Sequence, residues 1–305
     1  MILIANMEAE PGFAHSIDQL KAGVGAVDAL VAGISHVEAA ETVRSVGYGG
    51  WPNMIGEMEC DGAVMDGTTR EVGTVGAVPG TLHVAALARE VMRRLPHVML
   101  TGQGARRFAD EIGFNTQDML FPDSKRVWSK KLDMVLSDEE RAAFPDIPLV
   151  PLSNVITDPE RVRDTTVFLG MDQTGGAGVA TSTSGWAWKY PGRLGDSPIP
   201  GAGFYADSRF GAVACTHTGE MTMRCNTAHS VIEGLKFGLS LDAAVERAAE
   251  DLLDLGTGFL GEVVIHAFDT KNNHRVVSMN GEVPVSYWYW QDGMSAPEKR
   301  QSDQL

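Results

Sequence analysis

Cysteine is scarce. Cys60, Cys215 and Cys225 are odd in number and lack CxxC spacing, which excludes a disulfide framework and a cysteine zinc site. Positive charge is short too: 25 Lys and Arg against 40 Asp and Glu leave a formal charge of -15. Phosphate backbones demand clustered Lys and Arg, so nucleic acid is excluded as a partner. No apolar run reaches transmembrane length, and the start, Met1 to Glu8, lacks the basic region of a signal peptide. No membrane partner is therefore expected, and a cytoplasmic location is the default. HxxxH spacing and carboxylate–histidine clusters are missing as well, which argues against a metal hydrolase. No metal and no cofactor is expected.

What is present is a chain of 305 residues, 44% hydrophobic, long enough for a sizeable core. Ile2 to Ala5 reads as a buried first strand. Apolar residues recur at helical spacing from Ser16 to Val37, although Gly23, Gly25 and Gly33 weaken the propensity. Gly23-Val24-Gly25 lacks the third glycine and the preceding strand of a dinucleotide fingerprint. Short strands are expected at Glu59 to Asp66, Arg70 to Val78 and Val98 to Leu100, with helices at Thr81 to Leu95 and Gly104 to Ile112. From about 123 to 164 the chain is charged and holds Pro145, Pro148, Pro151 and Pro159. It reads as a linker with one helical piece near Ser137 to Ala143.

The second half reads as strands at Thr166 to Met171, Gly178 to Ser184, Phe210 to Thr216 and Glu220 to Arg224. Helices follow at Ala228 to Gly238 and Leu241 to Leu255, the latter with Ser240 as N-cap. Strands at Gly261 to Asp269 and Val276 to Met279 close the chain. Trp186, Trp188 and Tyr190 are expected to lie on the sheet. The strands come in meanders without regular helical crossovers. That pattern favours a layered α/β sandwich over a doubly wound parallel sheet.

Threonines, arginines and aspartates gather between Arg163 and Glu220, among glycines and short apolar runs. A threonine hydroxyl attacks a carbonyl only when a base takes its proton, and none of the eight histidines has a recognisable partner nearby in the sequence. The α-amino group of an N-terminal threonine is an alternative base, with a pKa of about 7.7 to 8. An internal threonine owns such an amine only if the bond before it is cut.

Asp164-Thr165, Thr181-Ser182-Thr183-Ser184-Gly185-Trp186, Gly192-Arg193-Leu194-Gly195-Asp196-Ser197-Pro198 and Gly201-Ala202-Gly203 resemble the glycosylasparaginase group of N-terminal-nucleophile hydrolases. Val46-Gly47-Tyr48-Gly49-Gly50 and Met65-Asp66-Gly67-Thr68-Thr69 do so too. The resemblance runs from about residue 16 to 255. It implies a four-layer αββα sandwich built as one domain over 1–305. It also implies self-cleavage at Asp164-Thr165 into an α chain, 1–164, and a β chain, 165–305.

On this resemblance Thr165 is the nucleophile and its amine the base. Thr183 orients it, and Thr216 shares the oxyanion with the backbone N–H of His217. Arg193 and Asp196 match the pair that holds the α-carboxylate and α-ammonium of an L-aspartyl moiety, and Gly219 fits the adjoining loop. A guanidinium fork suits a carboxylate, and a carboxylate suits an ammonium. The implied substrate is a small L-asparagine derivative carrying a group on its side-chain amide. The implied assembly is a homo-oligomer, a dimer of αβ units.

Four positions depart from the family pattern. Arg163 stands where a histidine is usual, Asn6-Met7-Glu8 where an N-terminal tryptophan is usual, Trp51 where a small residue is usual, and His217 where a glycine is common. The alternatives are an isoaspartyl peptidase/L-asparaginase on the same scaffold, or an uncleaved amino-acid-binding relative without chemistry.

Overall fold

The structure, a computed structural model, describes residues 1–114, 116–158 and 165–305. The chain opens with β1 (Ile2–Asn6), α1 (Glu10–Lys21) and α2 (Ala26–Ala39). β2 (Glu59–Asp66) and β3 (Val72–Pro79) form a hairpin, followed by α3 (Val84–Arg94), β4 (Met99–Thr101) and α4 (Gly102–Glu111). Next come α5 (Pro122–Val135), α6 (Asp138–Ala143) and α7 (Leu149–Ile156). The second half runs β5 (Thr165–Met171), β6 (Ala177–Thr183), β7 (Phe204–Asp207), β8 (Gly211–His217), α8 (Gly219–Cys225), α9 (Thr227–Lys236) and α10 (Leu241–Leu253). It ends with β9 (Val263–Asp269), β10 (His274–Met279), β11 (Ser286–Gln291), β12 (Glu298–Gln301) and β13 (Asp303–Gln304).

These strands make two sheets. The larger has the order β12-β11-β1-β5-β6-β2-β3-β4 and the smaller β13-β10-β9-β8-β7. Alternation decides what each face meets. Ile2, Ile4, Val167, Leu169 and Val179 point from the large sheet toward Ala212, Ala214, Val264 and Phe268 of the small one. Leu3, Ala5, Phe168 and Ala180, one residue out of phase, point to α1 and α2. On the small sheet Val213, Ile265 and Val277 meet α9 and α10. The result is the four-layer αββα sandwich, with both sheets buried on both faces.

Helix ends are fastened by particular side chains. The buried Glu38 accepts the Ala85 N–H in the first turn of α3 at 3.0 Å, where the helix dipole favours negative charge. Ser240 caps α10 by accepting the Ala243 N–H at 3.2 Å, as the sequence indicates.

Several expectations are corrected. The pattern from Ser16 to Val37 is two helices, parted at Gly23, which takes the left-handed φ of +83°. The segment read as a linker is largely helical. Leu132, Leu152 and Ile156 bury themselves against Met54, Ala187 and Trp188, a tertiary gain that local periodicity hid. Glu220 to Arg224 is helix α8 rather than a strand. Trp186 and Trp188 lie in the loop after β6, Trp188 beside Trp51 at 6.0 Å between ring centroids. β7, β11, β12 and β13 were not expected.

The first and second helices touch backbone to backbone. A β carbon on Gly12 would stand 1.9 Å from the Gly33 carbonyl oxygen, closer than any real contact. Gly12→Ala should therefore force α1 off α2 and lower stability by about 2–3 kcal/mol. Urea unfolding of the full-length chain is the measurement.

Candidate active site

Three strands of the large sheet bring polar residues into one row. In the β5–β6 ladder Thr165 lies opposite Thr183, and in the β6–β2 ladder Thr183 lies opposite Asp61. Directly opposed residues share a face, here the face toward the small sheet. From the other side of that space β8 presents Ala212, Ala214 and then Thr216 on alternate positions. Thr165, Thr183 and Thr216 are each less than 5% exposed. The register of strands, rather than any loop, places all three hydroxyls at one end of the inter-sheet space.

The start of β5 is clamped by Asn6. Its amide nitrogen donates to the Thr165 carbonyl at 2.6 Å and to Glu8 at 2.7 Å. Its amide oxygen accepts the Thr166 hydroxyl at 3.1 Å and the Val167 N–H at 3.0 Å. One side chain thus extends the β1–β5 ladder to Thr165, the first residue of β5. The Thr165 hydroxyl stands 3.4 Å from the buried Ser197 hydroxyl. The Thr183 hydroxyl accepts the Gly185 N–H at 2.9 Å.

Arg193 and Asp196 flank this row but do not pair with each other. Arg193 lies over the Trp186 ring, 4.2 Å from its centroid, and grips both oxygens of Glu220 at 2.8 Å. Glu220 sits in the first turn of α8, so the helix that replaced the expected strand delivers a partner for the arginine. The fork is engaged through Nε and Nη2, and Nη1 faces Gly195. Asp196 is buried, accepts the Thr222 hydroxyl at 2.6 Å, and is pushed up to about 6 by burial. Gly219 permits this contact: a β carbon there would sit 2.7 Å from the Asp196 carboxylate.

The third corner is Thr216 with His217. The Thr216 hydroxyl is 2.9 Å from His217 Nδ1, and His217 Nε2 is 3.7 Å from Glu262. His217 holds a left-handed φ of +81°, which costs a side-chain-bearing residue roughly 1–2 kcal/mol. A small recess beside it is lined by Asn6, Glu8, Thr216, His217, His266 and Ser286. His266 is buried and pushed down to about 3, so its ring is neutral.

The structure thus gathers Thr165, Thr183, Thr216, His217, Arg193, Asp196 and Gly219 around one space. Asp164, the residue expected to be cut, lies outside the described residues, as does Arg163. Sequence reasoning noticed Asn6 only as the place of a missing tryptophan, and missed Ser197, Glu220, Thr222 and Asp61. Ser197 and Glu220 stand inside the stretch singled out, but nothing in their spacing distinguishes them from neighbours. Among the described residues no group of three or more His, Cys, Asp or Glu could hold a metal ion.

A family profile described as asparaginase matches residues 12–282. The N(4)-(beta-N-acetylglucosaminyl)-L-asparaginase of Elizabethkingia miricola is 34% identical over 236 residues, 77% of this chain and 64% of that protein. The Rattus norvegicus protein of the same name is 31% identical over 258 residues, 80% of this chain and 75% of that one. A putative one from Drosophila erecta is 32% identical over 265 residues, 81% of this chain and 66% of that one. The chain spans 64% to 75% of the length of these curated relatives.

The buried carboxyl gives a pH prediction. The ordinary value for Asp196 is 3.8 and the folded value about 6, so the native state binds the extra proton between them. Its contribution to stability therefore falls as pH rises from about 4 to about 6, by an amount on the order of 3 kcal/mol. Asp196→Asn should remove this fall. Urea unfolding of both chains at the two ends of that window checks it; identical pH slopes would refute the assignment.

Proposed function

We infer, because this chain belongs to the asparaginase family of N-terminal-nucleophile hydrolases, that it is a self-processed threonine amidohydrolase acting on the side-chain amide of an L-asparagine derivative. In maturation the Thr165 hydroxyl adds to the Asp164 carbonyl, the C–N bond breaks, and the acyl group passes from nitrogen to oxygen. Water then cleaves the ester, leaving chains 1–164 and 165–305, with Thr165 as a new N-terminus.

In turnover the free amine of Thr165 takes the hydroxyl proton, and the oxygen attacks the side-chain carbonyl of the bound L-aspartyl group. Thr183 orients the attacking hydroxyl. The Thr216 hydroxyl and His217 N–H stabilise the oxyanion, donors worth about 3 kcal/mol each in such sites. The C–N bond breaks, the amine leaves with the proton, and water releases aspartate from Thr165. Asp196 receives the substrate ammonium. Arg193 receives the carboxylate through Nη1 or by giving up Glu220. The observation that carries this reading is the facing of Thr165 and Thr183 with Thr216 across the sheets, with Arg193 and Asp196 alongside.

The leaving-group side favours a second specificity on the same chemistry. Asn6, Glu8 and His217 line a small recess there together with Met7, Val264 and Val285. That lining supports isoaspartyl peptidase or L-asparaginase activity, with a compact leaving group, beside the glycosylasparaginase reading. A cytoplasmic dimer of αβ units completes the proposal. No helix of the described residues is long and apolar enough to cross a membrane.

Intact mass and N-terminal sequencing test the core of this. The wild-type chain should yield a fragment beginning Thr165-Thr166-Val167, and Thr165→Ala should remain full-length. The matured protein should release aspartate from at least one of N4-(N-acetylglucosaminyl)-L-asparagine, L-asparagine and a β-aspartyl dipeptide, and the ranking assigns the leaving group. A wild-type chain that stays whole after prolonged incubation and hydrolyses none of the three would overturn the reading.

A further inference from the structure

We propose that the His217 side chain, set by Glu262, decides whether Thr216 can donate its hydroxyl proton to the oxyanion, which makes His217 a positioning residue through its ring as well as its backbone. The inference rests on the amidohydrolase reading above.

The argument is a count of protons. Thr216 owns one hydroxyl proton, and its oxygen lies 2.9 Å from His217 Nδ1. With a neutral ring protonated on Nε2, toward Glu262 at 3.7 Å, Nδ1 carries a lone pair and accepts the Thr216 proton. At Thr216 the acyl oxygen then meets only lone pairs, and the His217 backbone N–H is left as the sole donor of the pair. With the ring doubly protonated, Nδ1–H donates to the Thr216 oxygen, and the threonine proton turns to the substrate. The remaining neutral tautomer sets a bare Nε2 against a carboxylate. Glu262 is itself held by the Ser278 hydroxyl at 2.8 Å, so its place beside the ring is fixed.

The surroundings agree. Among the described residues Glu262, just before β9, Glu8 in the turn after β1, and His266 on β9 share this corner. The Glu262 carboxylate, 3.7 Å from Nε2, favours a proton on that nitrogen, and the buried neutral His266 adds no opposing charge. An oxyanion donor needs only a backbone N–H, for which glycine would serve without strain at a φ of +81°. A histidine in that conformation is explained by work done by the ring.

Two opposite protonation demands follow. The Thr165 amine must be neutral and His217 charged, so kcat/KM of the matured enzyme should fall at both low and high pH. His217→Gly should lose the alkaline limb and keep the acid limb. Glu262→Gln should move the alkaline limb about one unit toward lower pH. In a Thr216→Val background, His217→Gly should change the profile no further. A His217→Gly enzyme whose curve is only scaled, with both limbs in place, overturns the proposal.

A second measurement is independent of turnover and of maturation. NMR titration of the His217 ring in the uncut Thr165→Ala chain should show a lower midpoint when Glu262→Gln is added, and an unchanged midpoint also overturns it. If the matured wild type hydrolyses no L-aspartyl amide, the amidohydrolase reading fails, while the ring titration still decides the coupling of His217 to Glu262.

Discussion

The register of β5 between β1 and β6 is the constraint on which the site depends. A slip of one residue in β5 would turn Thr165 from the space between the sheets toward α2 and bring Thr166 in its place, while Thr183 stays where the β6–β2 ladder holds it. The chain guards against this with apolar residues on both faces of β5. Val167 and Leu169 belong to the inter-sheet core, and Phe168 to the helical side. Asn6 adds a polar lock, since its amide finds the Thr165 carbonyl and the Val167 N–H only in the observed register.

Around that register the sheet encloses charge at a cost. Asp61, in line with the two threonines, accepts the Ala77 N–H at 2.7 Å, while its second oxygen has no hydrogen-bond partner among the described residues. Lys189 is fully buried nearby and donates to the Glu59 carbonyl at 2.9 Å. Asp196 keeps its proton to higher pH than an exposed aspartate. Such groups raise the energy of the empty folded chain. The bidentate Glu220 balances the charge of Arg193.

Much of this was legible in the sequence because glycine and threonine are informative in context. Gly219 and Gly203 are needed where the backbone crowds Asp196, with built β carbons at 2.7 Å and 2.3 Å from its atoms. Short apolar runs bounded by Gly and Asp made the strands of the first half readable to within a few residues. What failed to show depends on distant partners. Glu220 opens a helix because Gly219 can touch Asp196, a contact no local window contains. The helices α5 and α7 owe their stability to Met54 and Trp188 in other segments. The run Ser286-Tyr287-Trp288-Tyr289-Trp290-Gln291 does carry the alternation of a strand, with Tyr287 and Tyr289 on the inter-sheet face and Trp290 among the helices. That signal was available.

The order of the large sheet has a topological consequence for a chain cut between residues 164 and 165. β1, from the first segment, is threaded between β11 and β5 of the second, and β6 is joined in turn to β2 of the first. The two pieces alternate like interlaced fingers and share one hydrophobic centre. Severing the backbone would leave a heterodimer that neither piece can leave without dismantling the common sheet. Dilution would not separate them, and subunit exchange would require global unfolding. The covalent link would be needed to assemble the molecule and dispensable for keeping it.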